Sequence, residues 1–331
     1  MILARRSVLL AAAGAAALPT AARAQAKLTP IVMAVSSNSL AFGGMHIALQ
    51  AGLFEKNGLS PKVIVSESGA AAMAAVLSGS VDFAAGATGE VLAARLHGQK
   101  IVMVTNFYRG LSGSLVLSKT IADRLGAAST LPLAAKLKAL DGLVIATPSA
   151  TSSYTRPYKN SAQSVGATPR LVYMTQPAML AALQSGAIQG FIAGAPFTIS
   201  AVKNGTGVVW ISGPRGELPA EELPATSACF DTSEDYVAAH PEIIRAFQAV
   251  FADLIMLIRD HPQDALRHLS EAYPQLDSDS AAEIFRDESP NWSRPVLSEA
   301  DAQHEIALQV ASGLLKGAET VAPKDLLVHL K

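Results

Sequence analysis

Little in this chain could cross-link, hold a metal or react. One of its 331 residues is cysteine, Cys229, so no intrachain disulfide can form and stability has to come from packed cores. Cys229 itself lies in an apolar stretch, where a thiol is an inert packing group. Only 5% of residues are aromatic, which suits small-residue helices on sheets better than an aromatic-rich β-sandwich. The seven histidines are scattered, with no pair at metal-ligand spacing. No phosphate-cradling glycine loop and no nucleophile elbow is present. Neither Glu67-Ser68-Gly69 nor Glu221-Glu222 makes an acid/base set. No catalytic residue, metal or cofactor is therefore expected. No basic run follows the first residues, which argues against nucleic acid as a partner. Beyond residue 26 no apolar run reaches bilayer length.

What is present begins with an address. Arg5-Arg6 form a charged start, Val8 to Leu18 is apolar but too short to span a bilayer, and Ala22-Arg23-Ala24 and Ala24-Gln25-Ala26 offer small-x-small cleavage sites. Residues 1–26 thus read as a signal peptide, cut after Ala24 or Ala26, with a soluble periplasmic product. The paired arginines before Ser7-Val8-Leu9-Leu10 resemble a twin-arginine signal, from which Ala4, Val8 and Leu10 depart; a Sec signal fits the same succession. Arg5, Arg6 and Arg23 are lost with this segment and no acid is, leaving 23 basic against 27 acidic residues.

Half the residues are hydrophobic, and the length suits roughly two domains. Apolar runs at Thr29–Val35, Lys62–Ser66, Val81–Ala84 and Lys100–Val104 read as strands. Helical segments around Met45–Leu49, Ala70–Leu77 and Glu90–Leu96 separate them, each ending near a glycine. This rhythm predicts a parallel sheet with helices on both faces. It restarts at Leu143–Ala146, Leu171–Met174, Ile188–Ala193 and Val208–Ile211, with helices over Tyr154–Val165, Gln176–Gln184 and Pro196–Val202. Ala74–Val81 lines up with Ala181–Ile188, a weak internal repeat. Ser212–Pro224 reads as a linker, Thr226–Phe230 as a strand, and helices follow over Glu242–Arg259, Pro262–Ala272, Asp279–Glu288 and Glu299–Lys316.

Five segments, in order, resemble one family. Ala48-Leu49-Gln50-Ala51-Gly52-Leu53-Phe54-Glu55-Lys56-Asn57-Gly58-Leu59 is similar to the "A…GLF…GL" signature of the nitrate/sulfonate/taurine binding proteins of ABC transporters, the thiamine-precursor-synthase-like group. Ala74–Phe83, Gly98–Val102, Leu137–Ala146 and Ala182–Ile188 with Pro196 match its further segments; Gln189 departs from the usual Asp. The resemblance covers roughly residues 30–260. It implies an α/β type II periplasmic-binding fold, with lobe one at 27–112 plus 225–331, lobe two at 113–224, and a two-crossing hinge near Asn106–Gly113 and Ser212–Pro224. The implied function is capture of a small organic anion by lobe closure, as a monomer that delivers it to an inner-membrane ABC permease. A ligand sensor for a membrane receptor is the alternative. A pyrimidine-synthesis enzyme on the same fold would need a cysteine cluster that this chain lacks.

Ligands in open α/β sheets bind beyond the carboxyl ends of strands. The candidates are therefore loops: Ser36, Ser37 and Asn38; Thr88 and Gly89; Phe107 and Arg109; Ser149, Thr151, Ser152 and Ser153; Gln176; and Phe197. The serine-rich loop precedes a helix, where hydroxyls, free N–H groups and the dipole favour an anion, although hydroxyl capping uses the same residues. Arg109 could pair with a carboxylate or sulfonate, and Phe107 or Tyr108 could stack on an organic body. Tyr173 and Trp210, inside strands, are expected in the core. His46 is expected on an exposed face.

Overall fold

The computed structural model describes residues 27–330 except 37–38, 67, 127–129, 226–227 and 294. The expected signal segment thus lies outside the described residues. The apolar runs become ten strands: β1 (Thr29–Val35), β2 (Leu59–Val65), β3 (Phe83–Gly86), β4 (Ile101–Tyr108), β5 (Ser114–Ser118), β6 (Val144–Thr147), β7 (Arg170–Tyr173), β8 (Gly190–Ala193), β9 (Gly207–Ser212) and β10 (Ala228–Ser233). They form two five-stranded sheets, β2-β1-β3-β10-β4 and β7-β6-β8-β5-β9.

The expectation of a parallel sheet holds for three strands of each sheet and is corrected for the rest. β1 pairs in parallel with β2 and β3, as β6 does with β7 and β8, but β10 runs antiparallel between β3 and β4. β5 likewise runs antiparallel between β8 and β9. β5 was not foreseen, because five residues give too short a pattern to separate from a loop. β4 runs on through Tyr108, so Phe107 and Tyr108 belong to a buried strand rather than a connecting loop.

Each sheet is covered on both faces. On the first, the helix Pro241–Asp260 lays Phe247 and Phe251 against Phe83 and Phe107, with ring centroids 4.1 Å and 4.7 Å apart. The opposite face carries Met73, Val76, Val91 and Leu92, joined by Ile306 from the helix Glu299–Ser312. That helix stops at Gly313, whose φ of 62° closes it earlier than the sequence suggests. The second sheet packs Leu115, Ile145 and Trp210 on one face and Met179, Leu183 and Phe191 on the other.

The chain passes between sheets twice, after Tyr108 and after Ser212. The crossings touch: Gly213 N–H donates to Gly113 O at 3.1 Å, and Ala225 N–H to Arg109 O at 2.9 Å. A Cβ on Gly213 would sit 2.2 Å from Gly113 O, so only glycine permits this approach. Among the described residues, no helix is long and apolar enough to cross a membrane.

Candidate ligand-binding cleft

A cleft of about 510 Å³ lies between the two sheets. One wall follows the carboxyl ends of β1, β2 and β3: Ser36, Val65 and Ser66, then Gly86, Ala87 and Glu90, with Phe42, Ser68 and Gly69. The other follows β6, β7 and β8: Pro148, Ser149, Ser152, Ser153 and Tyr154, then Tyr173 to Pro177, and Phe197. A parallel strand's carboxyl end leaves unsatisfied carbonyls and opens into the following helix, which is why such ends host ligands.

Of the expected residues, Ser36, Ser149, Ser152, Ser153, Gln176 and Phe197 line this cleft. The serines are also engaged locally. Ser149 Oγ accepts from Ser152 N–H at 3.0 Å, and Ser152 Oγ accepts from Tyr154 N–H at 3.3 Å, as hydroxyls do at the start of a helix. Gln176 Oε1 accepts from Gly194 N–H at 3.0 Å. Thr151 turns to the facing wall, its hydroxyl donating to Glu90 Oε1 at 3.2 Å. Gly89 packs against the same loop: a Cβ there would meet Thr151 O at 2.3 Å. Ser37 and Asn38 lie outside the described residues.

Three expected residues point elsewhere. Thr88 is fully buried, its hydroxyl donating to Met103 Sδ at 3.3 Å. Phe107 is buried in the aromatic core against Phe251 and Phe230 because β4 continues through it. Arg109 pairs with Asp301 at 2.6 Å, away from the cleft lining. Burial raises the Asp301 carboxyl, but hydrogen bonds from Arg109 and Ser298 outweigh it and hold the group well below the usual range. His46 is buried rather than exposed, edge-on to Tyr273, and burial lowers its pKa to about 4. Trp210 is buried as expected, with Nε1 donating to Lys136 O at 3.0 Å.

Sequence reasoning missed Tyr173, Tyr154 and Glu90. Tyr173 ends an outer strand and, instead of entering the core, is 51% exposed toward the cleft. Tyr154 joins the two halves through a 3.0 Å contact between its hydroxyl and Ser39 Oγ. Glu90 lies in the first turn of the helix Thr88–Leu96, and its Oε2 accepts from Ala87 N–H at 2.9 Å. Burial pushes its pKa up to about 7, against the lowering effect of the Ala87 N–H and Thr151 hydroxyl. An acid just after a strand-to-helix turn was the available signal, and it reads equally well as a first-turn helix acid.

Two mixed sheets with the same strand order, two adjoining crossings and a cleft between strand ends define a periplasmic-binding-protein fold. Solved structures share it. The alkanesulfonate-binding protein SsuA from Xanthomonas axonopodis pv. citri, bound to MOPS, superposes with a TM-score of 0.72 at 16% identity, over 92% of this chain and 99% of that one. The aliphatic sulphonate binding protein SsuA from Escherichia coli gives 0.66 at 16%, covering 90% and 97%. The nitrate-binding protein NrtA from Synechocystis PCC 6803 gives 0.65 at 14%, covering 90% and 86%. No curated protein matches the sequence significantly. The chain belongs to the NMT1-like family, whose profile matches residues 43–269.

Proposed function

We propose that this protein is a solute-binding protein of an ABC importer, exported to the periplasm, that captures one small molecule between two lobes and presents the closed form to a membrane permease. The observation that carries this reading is the cleft, lined from both sheets by the loops after six parallel strand ends. A ligand there touches both halves at once, so it favours the form in which both sets of contacts exist. Lobe one would comprise 27–112 plus 225–331 and lobe two 113–224, turning about the adjoining crossings.

An anion is the expectation raised by the serine loop, but no lysine, arginine or histidine stands among the described residues lining the cleft. The solute held by Ser149, Ser152 and Ser153 would therefore meet hydroxyls and helix N–H groups rather than a counter-charge. Mass spectrometry of protein purified gently from the periplasm tests the reading: a stoichiometric small molecule should travel with it. Small-angle scattering should then show a larger radius once that molecule is dialysed away. Identical curves, with binding established, would count against closure. N-terminal sequencing of the same material should begin after Ala24 or Ala26.

A further inference from the structure

Glu90 is the one carboxyl group among the described residues that line the cleft, and no cation accompanies it. Its carboxylate is fixed from two sides, by Ala87 N–H and by the Thr151 hydroxyl of the facing wall. When ionised, its two oxygens can accept about four hydrogen bonds, so capacity remains toward the cleft. Gly69 and Gly86 keep the space beside it open: a Cβ on Gly69 would lie 2.8 Å from Glu90 Oε1, and one on Gly86 would lie 3.6 Å from Glu90 Oε2.

A second carboxyl group stands behind Gly86. Asp231 is fully buried, and that burial pushes its carboxyl well above the usual range, so it is held as the neutral acid. Its Oδ2 lies 3.6 Å from the place a Gly86 Cβ would take. The neighbouring Cys229 thiol is directed to Gly86 O at 3.4 Å. At the end of the cleft nearest β3, Glu90 thus faces the solute with no counter-charge among the described lining residues. An anion bound there would be stripped of water with no cation to offset it, whereas a cation or N–H donor would hold Glu90 ionised and be stabilised in turn. Phe42, Tyr173 and Phe197 also line the cleft, and aromatic rings suit a positively charged group.

We infer that the solute carries a nitrogen group that donates hydrogen bonds, a protonated amine or an amidine, and that Glu90 receives it. This rests on the solute-binding reading above. The test uses four probes that share one ring and differ in charge: benzamidine, benzamide, benzoate and benzenesulfonate. Calorimetry and thermal shift on the ligand-free protein should rank benzamidine first. Its preference over benzamide should be roughly tenfold or more, the scale of one hydrogen bond to a charged group. Glu90→Gln keeps an oxygen for Ala87 N–H and should erase that preference. A preference that survives in Glu90→Gln overturns the role of Glu90. A wild-type chain that prefers benzoate or benzenesulfonate overturns the cationic class and leaves solute binding standing. Binding of none of the four at millimolar concentration also overturns this inference, while the solute-binding reading is judged separately by the molecule that travels through purification. Should the variant fail to fold, the wild-type ranking alone decides.

Discussion

Glu90 shows how one residue can be costly to the fold and useful to the site. Burial raises its pKa from 4.5 to about 7, so the folded protein holds a proton that the unfolded chain has released. The stability this protonation gives is full below pH 4.5 and is lost as pH rises through about 7. Glu90→Gln, which cannot ionise, should therefore stabilise the ligand-free protein at pH 8 by about 3 kcal/mol and change it little at pH 4.5. Denaturant melts of both proteins at the two pH values check this, and an equal effect at both would refute it. Ser152 and Ser153 serve two ends as well. Replacing both with Ala removes the acceptor for Tyr154 N–H and should lower stability by about 1 kcal/mol. It should also weaken binding of the co-purifying ligand by more than about tenfold, by calorimetry. A loss of stability with unchanged affinity would return both serines to capping.

At the scale of elements, the helix Thr88–Leu96 and the loop after β6 are built to touch. Gly89 has no side chain where Thr151 O comes closest, and Thr151 reaches Glu90 across the cleft. Gly89→Ala is compatible with a helix, and by propensity even favours one. Its added methyl cannot share space with a backbone oxygen 2.3 Å away, so the walls must separate. The variant should fold normally, hold its ligand less tightly, and scatter as a larger particle with ligand present than the wild type does. Wild-type affinity in this variant would show that the loop yields at little cost. The repeated elements also explain a departure from the family pattern. In the first sheet Asp82 Oδ2 accepts from Val32 N–H at 2.7 Å; in the second, Gln189 Oε1 accepts from Val144 N–H at 3.0 Å. An amide oxygen does the work of the carboxylate, so the Asp-to-Gln change leaves the strand junction intact.

Across the whole molecule, Arg156 ties three separate parts of the chain. It lies in the helix Thr155–Ser164, is only 2% exposed, and pairs with Glu222 of the second crossing and with Glu305 of the helix Glu299–Ser312, 3.2 Å from Nε. Burial pushes the Glu222 carboxyl up while Arg156 pulls it down, and burial prevails. Arg156→Met would leave two buried carboxyls without their cation, a loss of about 3–5 kcal/mol. Denaturant unfolding measures it, and a change under about 1 kcal/mol would mean that water or a second cation replaces the guanidinium. Ligand acts on the same whole-molecule balance. At a hundredfold excess over its dissociation constant it should add about 2.7 kcal/mol to the unfolding free energy.

Local chemistry determined most of the elements. Apolar runs bounded by glycines marked nine of the ten strands, because a buried strand and the left-handed turn that ends a helix both leave their sign in adjacent residues. β5 escaped, since Ser114–Ser118 acquires its role only from β8 and β9 on either side. The loops that line the cleft were legible where they follow predicted strands, as with Ser36, Ser149, Ser152, Gln176 and Phe197. Phe107 and Arg109 were not, because their surroundings come from distant segments: Phe251 buries the one and Asp301 takes the other. The charge of the cleft was likewise beyond the sequence. Glu90 reads as an ordinary helix acid until the fold sets Gly69, Gly86, Asp231 and Thr151 around it and leaves every cation outside the described lining, for burial and electrostatic environment are properties of neighbours that folding brings together.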